Sequence, residues 1–255
     1  MPLLTAIAIA AVAYTAGDLV HEALGHGVAC LLAPECTPLS LSTVALQTST
    51  SNAAVAAAGP MANLLAGLVA LGCTRFVRRF TPAAFFAWLF AASNLLNVAG
   101  YLVFSGVTNT GDFSVVIRDS SSPFAWRIAM AATGAAGYVF ALKAIGGTLA
   151  RWTREHGLDT HHVAHAVRAA YVVGGIVLVA GAALNPIHPS LILTAGAGVG
   201  FGNMLGLLYV PVIVRKQSGD REGGVLPASR TWVAAGVTAT VLFVGVFGPG
   251  ISFQR

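Results

Sequence analysis

Apolar residues in this chain come in long, nearly unbroken runs rather than in the alternating or every-third pattern of a water-soluble fold. The runs are Leu3–Leu32, Ala53–Cys73, Ala83–Phe104, Phe124–Ile145, Ala169–Leu184, Leu191–Val214 and Trp232–Phe247. Most reach the ~20 residues that a helix needs to cross the hydrocarbon of a bilayer. The pattern predicts an all-α integral membrane protein of about seven transmembrane helices. The turn Asn185-Pro186-Ile187-His188-Pro189 joins the fifth and sixth into a helical hairpin. Residues 38–52 break the pattern, because apolar and hydroxyl side chains nearly alternate there. That alternation predicts a short re-entrant or β-like segment after the first span. In the sixth run, Gly198, Gly202 and Gly206 recur every fourth residue and predict a smooth face for close helix packing, with a gate as the alternative.

Composition agrees with this layout. Charged residues make up 9% of the 255 positions, against ~25% in a soluble domain that must coat itself for water. The net charge of +5 comes from short basic clusters between apolar runs, which gives no case for nucleic acid. On the side of the N-terminus fall Arg75, Arg78, Arg79, Lys143, Arg151, Arg154, Arg168, Arg215, Lys216, Arg221 and Arg230, which is 11 of the 14 basic residues. Arg118, Arg127 and Arg255 fall on the other side. The positive-inside rule then puts the N-terminus in the cytoplasm and the C-terminus outside. Met1 to Ala16 lacks a basic residue ahead of its apolar run, so it reads as part of an uncleaved first span rather than a signal peptide. The odd count of three cysteines, with no repeated spacing, argues against a disulfide framework. Cys30 is expected to be a buried free thiol, and pairs with Cys36 only if that segment faces an oxidising compartment.

Chemistry concentrates at the end of the first run, in Asp18-Leu-Val-His21-Glu22-Ala-Leu-Gly25-His26-Gly27. Ionisable groups inside a span are costly and need a reason. Two histidines and carboxylates suit zinc, and an adjacent Glu suits a general base for metal-activated water. The usual signature, His-Glu-x-x-His, spaces its histidines at i and i+4 on one helix face. Here His21 and His26 are five apart, a rotation of about 140° in a regular helix. Either a π-bulge near Gly25 brings the rings to one face, or Asp18, Glu22 and His26 form an α-helical stripe with His21 beside it. A second group, His161, His162 and His165, lies among basic residues and reads as a solvated amphipathic connector.

Further along come Ala58-Gly59-Pro60-Met61-Ala62-Asn63 near the start of the second run, Asn94-Leu95-Leu96-Asn97 in the third, and Gly111-Asp112-Phe113 in the following loop. On these motifs the chain resembles the site-2 protease family of intramembrane zinc metallopeptidases, over roughly residues 15–115. The resemblance implies zinc held by His21, His26 and Asp112, with Glu22 as catalytic base. It also implies that Gly59, Pro60, Asn63, Asn94 and Asn97 position substrate, though Pro60 also reads as a helix N-terminal proline and the asparagines as interhelical bonds. The chain departs from the family pattern in the extra residue between the histidines, in Gly-Asp for Asp-Gly, and in lacking a PDZ-like module. Residues 1–115 would form the catalytic core, and residues 116–255 additional helices of the same membrane domain. The expected activity is hydrolysis of a peptide bond in a membrane-protein or peptide substrate, within the bilayer or close to it, on the non-cytoplasmic side. A transporter or ion-conducting protein using the same polar cluster, or an inactive scaffold, are the alternatives.

Overall fold

The structure is a computed structural model that describes residues 3–50, 52–225 and 227–253. Ser51, within the expected re-entrant segment, and Arg255 lie outside the described residues. In chain order the elements are α1 (Leu3–Leu32), β1 (Pro38–Leu41), β2 (Leu46–Thr48), α2 (Ala53–Phe76), α3 (Pro82–Thr108), the short α4 (Asp112–Ile117), α5 (Pro123–Glu155), α6 (Thr160–Ala183), α7 (Ile192–Ser218), α8 (Arg230–Phe247) and β3 (Ile251–Ser252). All the helices but α4 are long and apolar enough to cross a membrane, giving seven candidate spans among the described residues. The protein is a multi-pass membrane protein.

Side chains that terminate helices explain most of the boundaries. Asn52 caps α2 by accepting from the Ala54 amide at 2.7 Å. Thr81 caps α3, with Pro82 in the first turn where its missing N–H costs nothing. Asp159 caps α6 by accepting from the His162 amide at 2.8 Å. Two boundaries differ from the apolar runs. Helix α5 continues past Ile145 to Glu155 and α6 begins at Thr160 rather than Ala169, because nothing in 146–155 breaks a helix once it has left the apolar zone. The turn comes at Gly157, in left-handed conformation at φ 58°. His161, His162 and His165 therefore ride, exposed, on the first turns of α6.

Helix packing relies on small residues, since lipid supplies little hydrophobic drive between spans. Helix α3 is the central post, against α1, α2 and α5. Its Trp88 is fully buried and donates to the Ile145 carbonyl of α5 at 2.9 Å. At Gly134 of α5 an added Cβ would stand 2.7 Å from the Ala99 carbonyl of α3, so glycine sets that approach. Helix α1 lies between α6 and α8, and Gly236 of α8 meets the Ala8 backbone. Large apolar side chains such as Leu31, Phe124, Phe140 and Leu193 face outward, as a lipid-facing surface requires.

The glycine face expected in α7 is not built as the spacing suggested. Ile192–Gly202 is wound as a π-helix, followed by a turn of 3₁₀ over Leu205–Leu208. Gly198 and Gly202 meet no neighbouring helix. Gly196 and Gly200 meet α6 instead, at Ala182 and Gly175, while Gly202 faces open space.

The segment after α1 is a β-hairpin, as its alternation predicted. β1 and β2 pair antiparallel through Leu41↔Leu46 and Ser40↔Gln47. A third strand arrives from the far end of the sequence. β3 pairs with β1 through Leu41↔Ile251 and Ser40↔Ser252, so the sheet order is β2-β1-β3. The free-thiol expectation for Cys30 is overturned: Cys30 and Cys36 form a disulfide. The turn after Leu32 folds the chain back and brings their Cα atoms within 5.1 Å.

Candidate metal centre

The five-residue spacing is accommodated by helix geometry. Val20–Gly27 is wound as a π-helix, with α-helix on both sides. The widened turn absorbs one extra residue and points both imidazoles to the same side, edge to face with centroids 4.8 Å apart. The alternative stripe through Asp18, Glu22 and His26 needed a regular α-helix and does not form. Gly25 makes room for the bulge: a Cβ there would lie 2.5 Å from Gly59 Cα and 2.8 Å from the Ala58 carbonyl of α2. Gly59 in turn lies against the rings, where a Cβ would collide with His26 Nε2 and Cε1 and stand 2.9 Å from His21 Nε2. Its role is clearance. Pro60 was expected near a helix start, but α2 begins at Ala53, so Pro60 is inside the helix and leaves the Ala56 carbonyl without its usual amide donor.

Asp112 completes the group. Its Oδ2 lies 3.1 Å from His21 Nε2 and 3.4 Å from His26 Nε2. Asn109 and Gly111, with φ 56° and 78°, turn the chain back after α3. Tyr101 holds the turn, accepting the Asp112 amide at 2.9 Å, and a side chain at Gly111 would strike its hydroxyl. Burial pushes the Asp112 carboxyl upward, but hydrogen bonds from His21 and His26 outweigh it and hold the group well below the ordinary carboxylate range.

The tautomers follow from the outer partners. Asn63 Nδ2 donates to the Gly17 carbonyl and to Asn94 Oδ1, so its Oδ1 must face His21 Nδ1, at 2.6 Å, and accept from it. Asn94 Nδ2 is bonded in turn to the Phe90 carbonyl. His26 Nδ1 donates to the Val55 carbonyl at 2.7 Å. With both Nδ1 atoms donating outward, both Nε2 atoms face Asp112: as N–H groups they donate to its carboxylate, and on losing that proton both would present lone pairs to a metal. Three donor atoms lie within 4.8 Å of one another. Adjacent ligands of a tetrahedral zinc stand about 3.3 Å apart, from metal–ligand bonds of ~2.0–2.1 Å. The donor set and its orientation fit a divalent metal of this kind, which would displace the Nε2 protons on binding.

No family model, curated protein or solved structure matches the chain.

The chemistry of the site therefore has to be read from its own residues. Glu22 is buried, and its Oε2 accepts from the Leu46 amide of β2 at 2.7 Å. One turn earlier, Asp18 directs a buried Oδ2 with no hydrogen-bond partner among the described residues. A cavity of about 490 Å³ joins these groups, with His21, Glu22, His26, Asp112, Tyr101 and Leu46 in its wall. That volume accommodates a few residues of extended peptide.

Asn63, Asn94 and Asn97 line the cavity and are also tied into the helix bundle. Asn63 and Asn94 are each 1% exposed and spend their amides on one another, on His21 and on backbone. Asn97 Oδ1 is taken by Asn203 of α7 at 2.8 Å. His188 is exposed and bonded to Ser190 Oγ. Tyr101, the Val55 carbonyl and the Leu46 amide were not identified from sequence. Two are backbone groups with no residue-type signal, whereas Tyr101 sits seven residues after Asn94, two helical turns along the same face.

Proposed function

We propose that the protein is an intramembrane zinc metallopeptidase, a divergent relative of the site-2 proteases. The observation that carries the reading is the convergence of two Nε2 atoms and the Asp112 carboxylate beside a buried glutamate, in a cavity large enough for peptide. His21, His26 and Asp112 would hold the metal, which supplies Lewis acidity and a water nucleophile near neutral pH. Glu22 takes the proton of the attacking water and returns it to the leaving amine. Asn63 and the Val55 carbonyl keep the imidazoles in the ligating tautomer. The substrate unwinds locally and adds as a strand beside β2, whose free edge lines the cavity.

Zinc stoichiometry of detergent-purified protein tests the metal. The expected result is about one zinc per chain, as for a three-ligand catalytic site, and none in His26→Ala. Wild-type protein that stays zinc-free after zinc loading would end the reading.

The site also belongs, on this proposal, to the non-cytoplasmic side. Eleven of the 14 basic residues mark the opposite face, and a Cys30–Cys36 disulfide supports an oxidising compartment next to the hairpin. In a Cys73→Ser background, Asn109→Cys should react with a membrane-impermeant thiol reagent on intact cells and Gly219→Cys should not. The reverse pattern would place the site on the cytoplasmic leaflet.

A further inference from the structure

The sheet beside the metal centre has two outer edges, and they are treated differently. β1 is covered by β3, which uses Ile251 and Ser252 to close that side. β2 has no strand on its outer edge among the described residues. That edge faces the cavity through Leu46, Thr48 and Thr50. The hairpin register explains which groups are offered there. Ser42 donates to Ala45 across the turn, and in an antiparallel pair bonded and non-bonded positions alternate. Leu46 is thus a position whose amide points away from β1. That amide is the one bonded to Glu22, at 2.7 Å.

One N–H therefore has two claimants. A peptide strand adding to β2 needs the Leu46 amide for its first ladder bond. Glu22 holds the same hydrogen in the peptide-free protein. We infer that the Leu46–Glu22 hydrogen bond is a latch: an extended peptide that pairs with the β2 edge displaces the Glu22 carboxylate from Leu46 and turns it loose into the cavity. The consequence is a preference for segments that adopt strand geometry over segments that merely reach the metal. The latch makes the base unavailable until a strand is in place, so an exposed metal centre does not act on stray water or on a passing loop. What Glu22 does after release rests on the peptidase reading above, whereas the competition for one amide is a binding property and stands apart from it.

The experiment measures binding and needs no turnover. The probe is a fluorescein-labelled dodecapeptide of alternating Thr and Val, followed by anisotropy with the zinc-loaded protein in detergent. A second probe carries N-methyl groups on alternate amides of one strand edge and cannot form the ladder. If Glu22 competes for the Leu46 amide, Glu22→Ala tightens binding of the first probe about tenfold, the worth of one charge-assisted hydrogen bond. The methylated probe gains nothing. Leu46→Pro removes the contested N–H at an edge position where proline is tolerated. In that background Glu22→Ala should give no gain, which is the non-additivity that a shared partner requires. Retained zinc in each variant shows that the site is folded, and Glu22→Gln, a weaker acceptor, should fall between wild type and Ala. Unchanged or weakened binding in Glu22→Ala would overturn the latch, as would equal gains for both probes or a gain that persists in Leu46→Pro. A protein that binds no zinc yet shows the gain would instead overturn the peptidase reading and leave the latch standing.

Discussion

Three spans of this protein carry π-helix among the described residues, and the surroundings of the two longer stretches have little in common. In α1, Val20–Gly27 carries His21, Glu22 and His26, and each of their polar side chains has a partner from a different element. In α7, Ile192–Gly202 carries six glycines and alanines in a row of eleven apolar or small residues, with Thr194 bonding back to the Ser190 carbonyl just ahead of the helix. The first stretch is pinned by Asn63, Val55, Leu46 and Asp112; the second is held by backbone contact of Gly200 with Gly175. Widened helical geometry alone therefore marks no site. In α1 the extra residue re-aims two side chains toward a third element, and in α7 it re-aims glycines, which changes only how closely α6 can approach.

Substitutions can break that contrast at four points of decreasing effect. Gly59→Ala drives a methyl into the two imidazoles and should lower zinc affinity by at least about 100-fold, as loss of ligand orientation does. Competition with a chromogenic chelator reads this, and near-normal affinity would mean that the rings are not where they are described. Asn63→Ala removes the acceptor that fixes His21 and should cost roughly 10–100-fold by the same measurement. No change would make the asparagine pair a helix fastener only. In the other stretch, Gly200→Ala presses on the Gly175 backbone at 3.0 Å and should cost about 1–3 kcal/mol of stability, the usual penalty for overpacking. Thermal unfolding in detergent measures it, and zinc content should be untouched; lost zinc would show that α7 supports the centre. Gly202→Ala meets nothing within 4 Å and should stay within about 0.5 kcal/mol of wild type. A larger loss there would reveal a contact that this arrangement of α7 does not contain.

Legibility from sequence divides along the range of the interactions. The spans, the hairpin at 38–52 and the His21-Glu22-His26 cluster were readable, because run length, alternation and local clustering are properties of neighbouring residues. The π turn was readable as one of two options: five-residue spacing demanded it only if both histidines serve one centre. Helix ends in α5 and α6 were misplaced because apolar runs report the bilayer and not where a helix stops, which Gly157 and Asp159 decide. The ridge of Gly198, Gly202 and Gly206 failed because its spacing presumes 3.6 residues per turn. β3 was invisible, since two residues at 251–252 have no alternation to detect and find their partner across almost the whole chain. The latch on Glu22 was invisible for a different reason, as a backbone amide has no identity in a sequence.

The pairing of β1 with β3 also fixes an order of events during synthesis. Leu41 and Ile251 are joined in one sheet, and the same late segment brings α8 against α1, where Ser229 bonds Thr5. At about 5–20 residues per second, the ribosome delivers the last strand on the order of ten seconds or more after the first. Until then the hairpin over the metal centre has an open side and α1 lacks one flank. His21, His26 and Asp112, by contrast, have all emerged once Asp112 is made. On the proposed reading, metal capture would precede completion of the sheet, and a newborn chain would pass through a stage with its three ligands in place and its sheet edge still unsupported.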